Sequence, residues 1–184
     1  MRKIALLLLL LAPVLPAQSP SKKTLGLQPS GAAERVVARP NRAAPDGSRA
    51  SEKVAAVLND WHNAAAVADE ARYFGHFTPD GVFMGTDATE RWTATEFRAW
   101  AKPHFKGKTA WAFTPHHRFI FFSPDGAIAW FDEMLDTPNM GPCRGSGVLQ
   151  RIGGVWKIAQ YNLSVPIPNA LVKDVVKQIA AAGK

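Results

Sequence analysis

The sequence predicts an α+β domain whose helices gather on one face of an antiparallel sheet, and three observations carry that reading. Apolar residues recur at helical spacing over residues 51–68 and again just before Pro103. From Thr109 onward the chain changes to long β-rich runs broken by turn residues. Those runs are joined by Ser123-Pro124-Asp125-Gly126 and by Gly153-Gly154, short connections that make neighbouring strands antiparallel. At 184 residues the chain has room for one well-formed core and not for two ordinary domains.

Taken in order, Met1-Arg2-Lys3 is a basic start and Ile4 to Leu11 an unbroken apolar run, followed by small residues suited to cleavage before Gln18. Residues 1–17 are read as a signal peptide, so the protein is expected to be exported, either periplasmic or secreted. The apolar run is well short of the roughly 20 residues that span a bilayer, so no integral span is expected after cleavage. Residues 18–50 are rich in Pro, Ser, Gly, Ala and Arg, lack aromatic residues and show no period, which reads as a disordered basic linker. Most of the net charge of +7 resides in these first 50 residues. From Ser51 on, basic and acidic residues nearly balance, which argues against nucleic acid as a partner.

The folded domain is expected over 51–184. Ser51 is a candidate N-cap for a helix carrying Val54, Val57, Leu58, Trp61 and Ala65 on one face. A second, shorter helix starts at Asp69 and carries Tyr73, Phe74 and Phe77, and Thr78-Pro79-Asp80-Gly81 is expected to stop it. Gly81 to Gly85 is a short strand, and the polar stretch to Trp92 has room for another. Thr93 and Glu96 have the spacing of a capping box, opening a helix with Phe97 and Trp100 that Pro103 ends. Strands are then expected at 109–122, 127–135, 144–152 and 155–164, with a turn-rich loop at 136–143 and a last helix after Asn169 with Leu171, Val172, Val175 and Ile179 as its apolar face.

This order of elements, with Trp61-His62 and the strings FMGTDATERW (Phe83 to Trp92), AWFDEML (Ala129 to Leu135) and RGSGVLQRIGGVWKIAQYNLSVPIP (Arg144 to Pro168), resembles the SnoaL-like domain family of the nuclear transport factor 2-like superfamily. The resemblance implies a curved sheet wrapped with helices into a cone that encloses a pocket, and a homodimer formed through the outer face of the sheet. The superfamily holds isomerases, cyclases and dehydratases as well as non-catalytic binding and assembly modules, so the fold leaves the function open. Its cyclases and isomerases use a pocket Asp as proton-transfer base, and Asp132 is the nearest match.

Strand alternation divides the candidates between two faces. If Phe122 pairs with Ala127, His117 falls opposite Asp132. Pairing Glu133 with Arg144 and Ile152 with Val155 then places His117, Phe119, Phe121, Trp130, Asp132, Gly145, Gly147, Gln160 and Asn162 on the more aromatic face, which is expected to be the interior. Glu133 and Arg144 are expected to form a cross-strand charge pair on the outer face. The interior reading makes Asp132 the candidate base with His117 tuning it, and gives Trp61, Tyr73, Phe83, Trp92, Trp111, Trp130 and Asn162 as candidate ligand contacts. The expected ligand is small and largely apolar, with no cofactor. His62, His76 and His104 lack metal-ligand spacing, and His116 and His117 point to opposite faces, so no metal is expected. Ser146 is not in a nucleophile elbow, and no glycine loop is placed to hold phosphate. Cys143 has no partner in the chain and is expected to be a small buried hydrophobe.

Overall fold

A computed structural model describes residues 47–182. The expected signal peptide and nearly all of the expected linker lie outside the described residues. The first helix, α1 (Gly47–Ala66), begins ahead of Ser51, so residues 47–50 are helical where linker was expected. Asp69 caps α2 (Glu70–Gly75) by accepting from the Arg72 amide at 3.1 Å. Strands β1 (Phe77–Met84) and β2 (Arg91–Thr93) precede α3 (Ala94–Ala101), a single 3-10 turn (His104–Lys106) and strands β3 (Thr114–Phe122), β4 (Ile128–Thr137), β5 (Gly141–Ile152) and β6 (Val155–Ser164). The last element is α4 (Val172–Ala182).

The capping box forms as expected: Thr93 Oγ1 accepts from the Glu96 amide at 3.3 Å, and Glu96 Oε2 accepts from the Thr93 amide at 2.8 Å. Thr78-Pro79-Asp80-Gly81 differs from expectation, because it lies inside β1 and does not end a helix. The β1–β6 register jumps between Phe77 and Val82, so these residues bulge out of the ladder. Pro79 is tolerated there because β2 pairs only with Val82 to Met84, leaving no ladder bond on that side for its missing N–H.

The six strands form one sheet in the order β2-β1-β6-β5-β4-β3. Every pairing is antiparallel except β1 with β6, which is parallel. Further irregularities fall between His116 and Phe119 on β3 and between Val148 and Leu149 on β5, and such bulges increase local twist and bend the sheet around its helices. The concave side carries Ala129, Phe131, Glu133 and Leu135 of β4, Cys143 and Leu149 of β5, and Trp156, Ile158, Tyr161 and Leu163 of β6. Against it pack Val54, Leu58 and Trp61 of α1, with Tyr73 and Phe97. Trp61 sits at the centre, 5.0 Å from the Tyr73 ring and 4.5 Å from that of Tyr161. Helix α4 buries none of its residues fully, and only Val175 of its apolar side is partly covered. Among the described residues no helix is long and apolar enough to cross a membrane.

Candidate functional site

Two neighbouring features occupy the concave side of the sheet. The first is a buried polar network centred on Glu133, which is 1% exposed. Ala55, Asn59 and His62 share one face of α1 because they recur at helical spacing, and that face meets Arg118 of β3 and Glu133 of β4. His62 Nε2 lies 2.8 Å from Glu133 Oε1, and since an ionised carboxylate only accepts, the imidazole donates. Tyr161 Oη donates to the same oxygen at 3.3 Å. Arg118 Nε donates to Oε2 at 2.7 Å; Nη2 is equally close to that oxygen as a charge contact but is not aligned to donate. The Arg118 fork ends on α1, where Nη1 donates to Asn59 Oδ1 at 2.8 Å and the Ala55 carbonyl at 3.2 Å.

Burial is the largest single influence on Glu133 and pushes its carboxyl up. The hydrogen bond and charge of His62, with those of Arg118, outweigh it and leave the group below its ordinary value. The Tyr161 phenol is pushed well up, first by burial and then by the Glu133 charge. Gly145 makes this approach possible. A Cβ there would fall 2.2 Å from Tyr161 Oη and 3.1 Å from Glu133 Cγ. A Cβ at Gly147 would fall 2.9 Å from the Phe131 ring. Side chains fill the room beside Gly145, and at Gly147 the Gln160 backbone carbonyl oxygen is closer still, 2.3 Å from such a Cβ.

The second feature is a cavity of about 270 Å³ between the β1–β2 connection, α3 and the segment leading into β3. Phe83, Trp92, Phe97, Trp100, Trp111 and Phe113 supply its aromatic wall. Glu90, His104, Asn139 and Met140 also line it, and the half-exposed Trp100 stands on its solvent side. Several rings lie nearly parallel: Phe83 on Phe97 at 4.0 Å and 14°, Trp92 beside Phe97 at 5.6 Å and 6°, and Trp92 on Trp100 at 5.0 Å and 23°. The cavity and the network share a wall, since Phe83 stacks on Tyr161 at 5.8 Å and Phe113 meets His62 edge-on at 6.2 Å. Glu133 thus lies behind the cavity lining.

Of the residues singled out in the sequence, Phe83, Trp92 and Trp111 line the cavity. Trp61 and Tyr73 are buried core, and burial pushes the Tyr73 phenol well up; its oxygen has no partner at hydrogen-bonding geometry, Trp111 being the polar neighbour nearest to that role. Asp132 is not interior. It is exposed on the convex face, in one cross-strand row with Phe119, Ser146 and Asn162. Trp130 shares that face, stacked on Phe121 at 6.0 Å, so neither Trp130 nor Asn162 reaches the cavity. His117 is exposed and forms the β3 bulge with φ +47°, which removes it from the position opposite Asp132. The expected Glu133–Arg144 pair does not form. Arg144 is opposite Met134 and exposed, while Glu133 is opposite Gly145 and pairs with Arg118 and His62.

The loss of the Glu133–Arg144 pair follows from a one-residue shift between β4 and β5, whereas His117 is displaced by the β3 bulge. The loop expected over 136–143 is a tight connection in which Thr137 pairs with Gly141, and Gly141 takes the left-handed conformation at φ +69°. Glu133, expected on the outer face, lies with Phe131 and Tyr161 on the concave face and meets Arg118 there. The reading from sequence missed Glu90 as a cavity carboxylate. The signal available was Gly85, whose missing Cβ leaves room for the Glu90 carboxylate: a Cβ there would fall 2.1 Å from Glu90 Oε2. Among the described residues, no group of three or more His, Cys, Asp or Glu is placed to hold a metal ion.

A family model described as a SnoaL-like domain matches residues 54–168. No curated protein matches the sequence. Among solved structures, the chain is similar to a nuclear transport factor 2-like protein of unknown function from Pseudomonas putida, at 15% identity and a TM-score of 0.57, covering 66% of this chain and 90% of that one. A protein of unknown function with a cystatin-like fold from Nostoc punctiforme matches at 14% identity and a TM-score of 0.53, covering 63% of this chain and 90% of the other. A further nuclear transport factor 2-like protein of unknown function, from Shewanella oneidensis, matches at 12% identity and a TM-score of 0.54 over 62% of this chain and 98% of its own.

Proposed function

Because the chain belongs to the SnoaL-like domain family, we propose that it is an exported binding protein that holds a small, largely apolar molecule in the aromatic cavity of its cone. The observation that carries this reading is the cavity of about 270 Å³, walled by indole and phenyl rings and reached past Trp100. That volume sits at the small end of the roughly 300–1,000 Å³ common for ligand pockets, which favours a compact ligand. Acid–base chemistry built on Asp132 has little support, since that carboxylate lies across the sheet from the cavity.

Native mass spectrometry of protein recovered from its own envelope or medium tests the reading. A retained small molecule is expected in the natural protein. It should be absent from an Ala110→Trp variant, because Ala110 lines the cavity and a larger side chain there would fill it. Retention that is equal in the two proteins would remove the cavity as the binding site. The same spectrum reports the mature mass, and cleavage before Gln18 is the expected value; an intact Met1 to Ala17 segment would overturn export by a cleaved signal.

The convex face supports a homodimer. Phe119 is 58% and Trp130 43% exposed, and they lie together on the open side of the sheet. Sedimentation of a Phe119→Ser, Trp130→Ser double variant is expected to show half the mass of the unmodified protein; an unchanged mass would place any interface elsewhere.

A further inference from the structure

We propose that the molecule bound in this cavity is a compact organic cation, such as a substituted ammonium carried on a small apolar body. The proposal rests on the ligand-binding reading above and adds the charge of the ligand. Trp92, Trp100 and Trp111 all line the cavity, and indole faces attract cations through the ring quadrupole more strongly than the rings of Tyr or Phe do. Among the described residues no lysine or arginine lines it, whereas Glu90 does.

The Glu90 carboxylate is held in position. Oε2 accepts from the Asp87 amide at 3.2 Å and lies over Gly85, where any side chain would collide with it. Among the described residues Oε1 takes no hydrogen bond and Glu90 has no ion-pair partner, whereas the other partly or fully buried carboxylates are neutralised. Asp60 meets Arg72 and His76, Glu70 meets Arg98, and Glu133 meets Arg118 and His62. A fixed negative charge at an aromatic wall disfavours anions and favours a cation whose apolar groups can lie on the rings. His104 is the other titratable group on the lining. Its ring rests 5.0 Å from that of Trp100 on the exposed side, so it lies near the mouth.

The test compares benzyltrimethylammonium with its uncharged carbon isostere, neopentylbenzene, by quenching of tryptophan fluorescence in the folded protein. The cation is expected to bind at least about tenfold tighter, the order a desolvated cation–π and charge contact supplies. Glu90→Gln is expected to remove most of that preference, bringing the affinity for the cation down toward that for the isostere. Trp100→Leu, at the exposed rim, is a second variant expected to weaken the cation more than the isostere. Equal binding of the two probes, or a preference that survives both variants, would overturn the charge assignment and leave the cavity reading in place. Binding of neither probe would overturn the cavity reading as well.

Discussion

Replacing Arg118 with Met leaves a carboxylate stranded in the core. The substitution keeps a chain of similar length along the sheet but removes the guanidinium from Glu133 Oε2, leaving His62 and Tyr161 on the other oxygen. Breaking a buried ion pair by deleting one partner costs about 3–5 kcal/mol, because the remaining charge is uncompensated. That is a large part of the roughly 5–15 kcal/mol that holds an ordinary domain together. Urea unfolding followed by tryptophan fluorescence measures the loss. Adding Glu133→Gln to Arg118→Met should recover much of it, since the buried carboxylate charge is then gone.

The pH dependence has a definite sign. Although burial pushes Glu133 up, His62 and Arg118 together hold it below its ordinary value in the folded state. Its contribution is therefore complete above the unfolded carboxylate range, near about 4.3, and is lost as pH falls through the lower folded value. In Arg118→Met that loss should begin at higher pH. A cost for Arg118→Met of less than about 1 kcal/mol, the size of an exposed ion pair, would refute this reasoning. So would a double variant no more stable than the single one.

Further perturbations address other parts of the structure. Gly145→Ala places a methyl group against Tyr161 Oη and should destabilise by about 1–3 kcal/mol, as overpacking does; Tyr161→Phe in the same chain should recover part of it, and additive losses in the urea cycle would contradict the clash. Asp132→Asn and His117→Asn lie on or near the convex face, so each should leave fluorescence-detected binding in the cavity unchanged. Weakened binding in either would return those residues to the site. Truncation after Pro168 removes α4, none of whose residues is fully buried. The unfolding free energy should change by less than about 0.5 kcal/mol, the range of surface changes, and a larger loss would mean that α4 has a partner.

What was readable in the sequence was set by local chemistry. Thr93 and Glu96 satisfy each other's backbone donors within one turn, so their helix start does not depend on distant residues. Gly153 and Gly154, at φ +58° and +85°, form the tight turn their identity implies, and Ile152 meets Val155 as expected. Face assignment was harder because it depends on register summed over several strands. The phase was carried from β4 to β5 through an assumed loop where Thr137 and Gly141 already pair, and one residue of slip turned Asp132 from inside to outside. Bulges compounded the error. His117 is not a glycine, yet it takes φ +47°, and the Val148–Leu149 irregularity puts Tyr161 and Leu163 on the concave face in place of Gln160 and Asn162. Counting aromatic residues then favoured the wrong side, since Phe119, Phe121 and Trp130 decorate the convex surface. The cavity itself was legible residue by residue in Phe83, Trp92 and Trp111, but Glu90 entered it only through a loop whose path no periodicity encodes.

The aromatic cavity is the proposed place of ligand binding. Soaking crystals of the protein with iodobenzene and locating iodine by its anomalous scattering tests this most directly. The expected result is a peak enclosed by Trp92, Trp111 and Phe113, absent in Ala110→Trp; a peak confined to the convex face beside Trp130, or none at all, would contradict it.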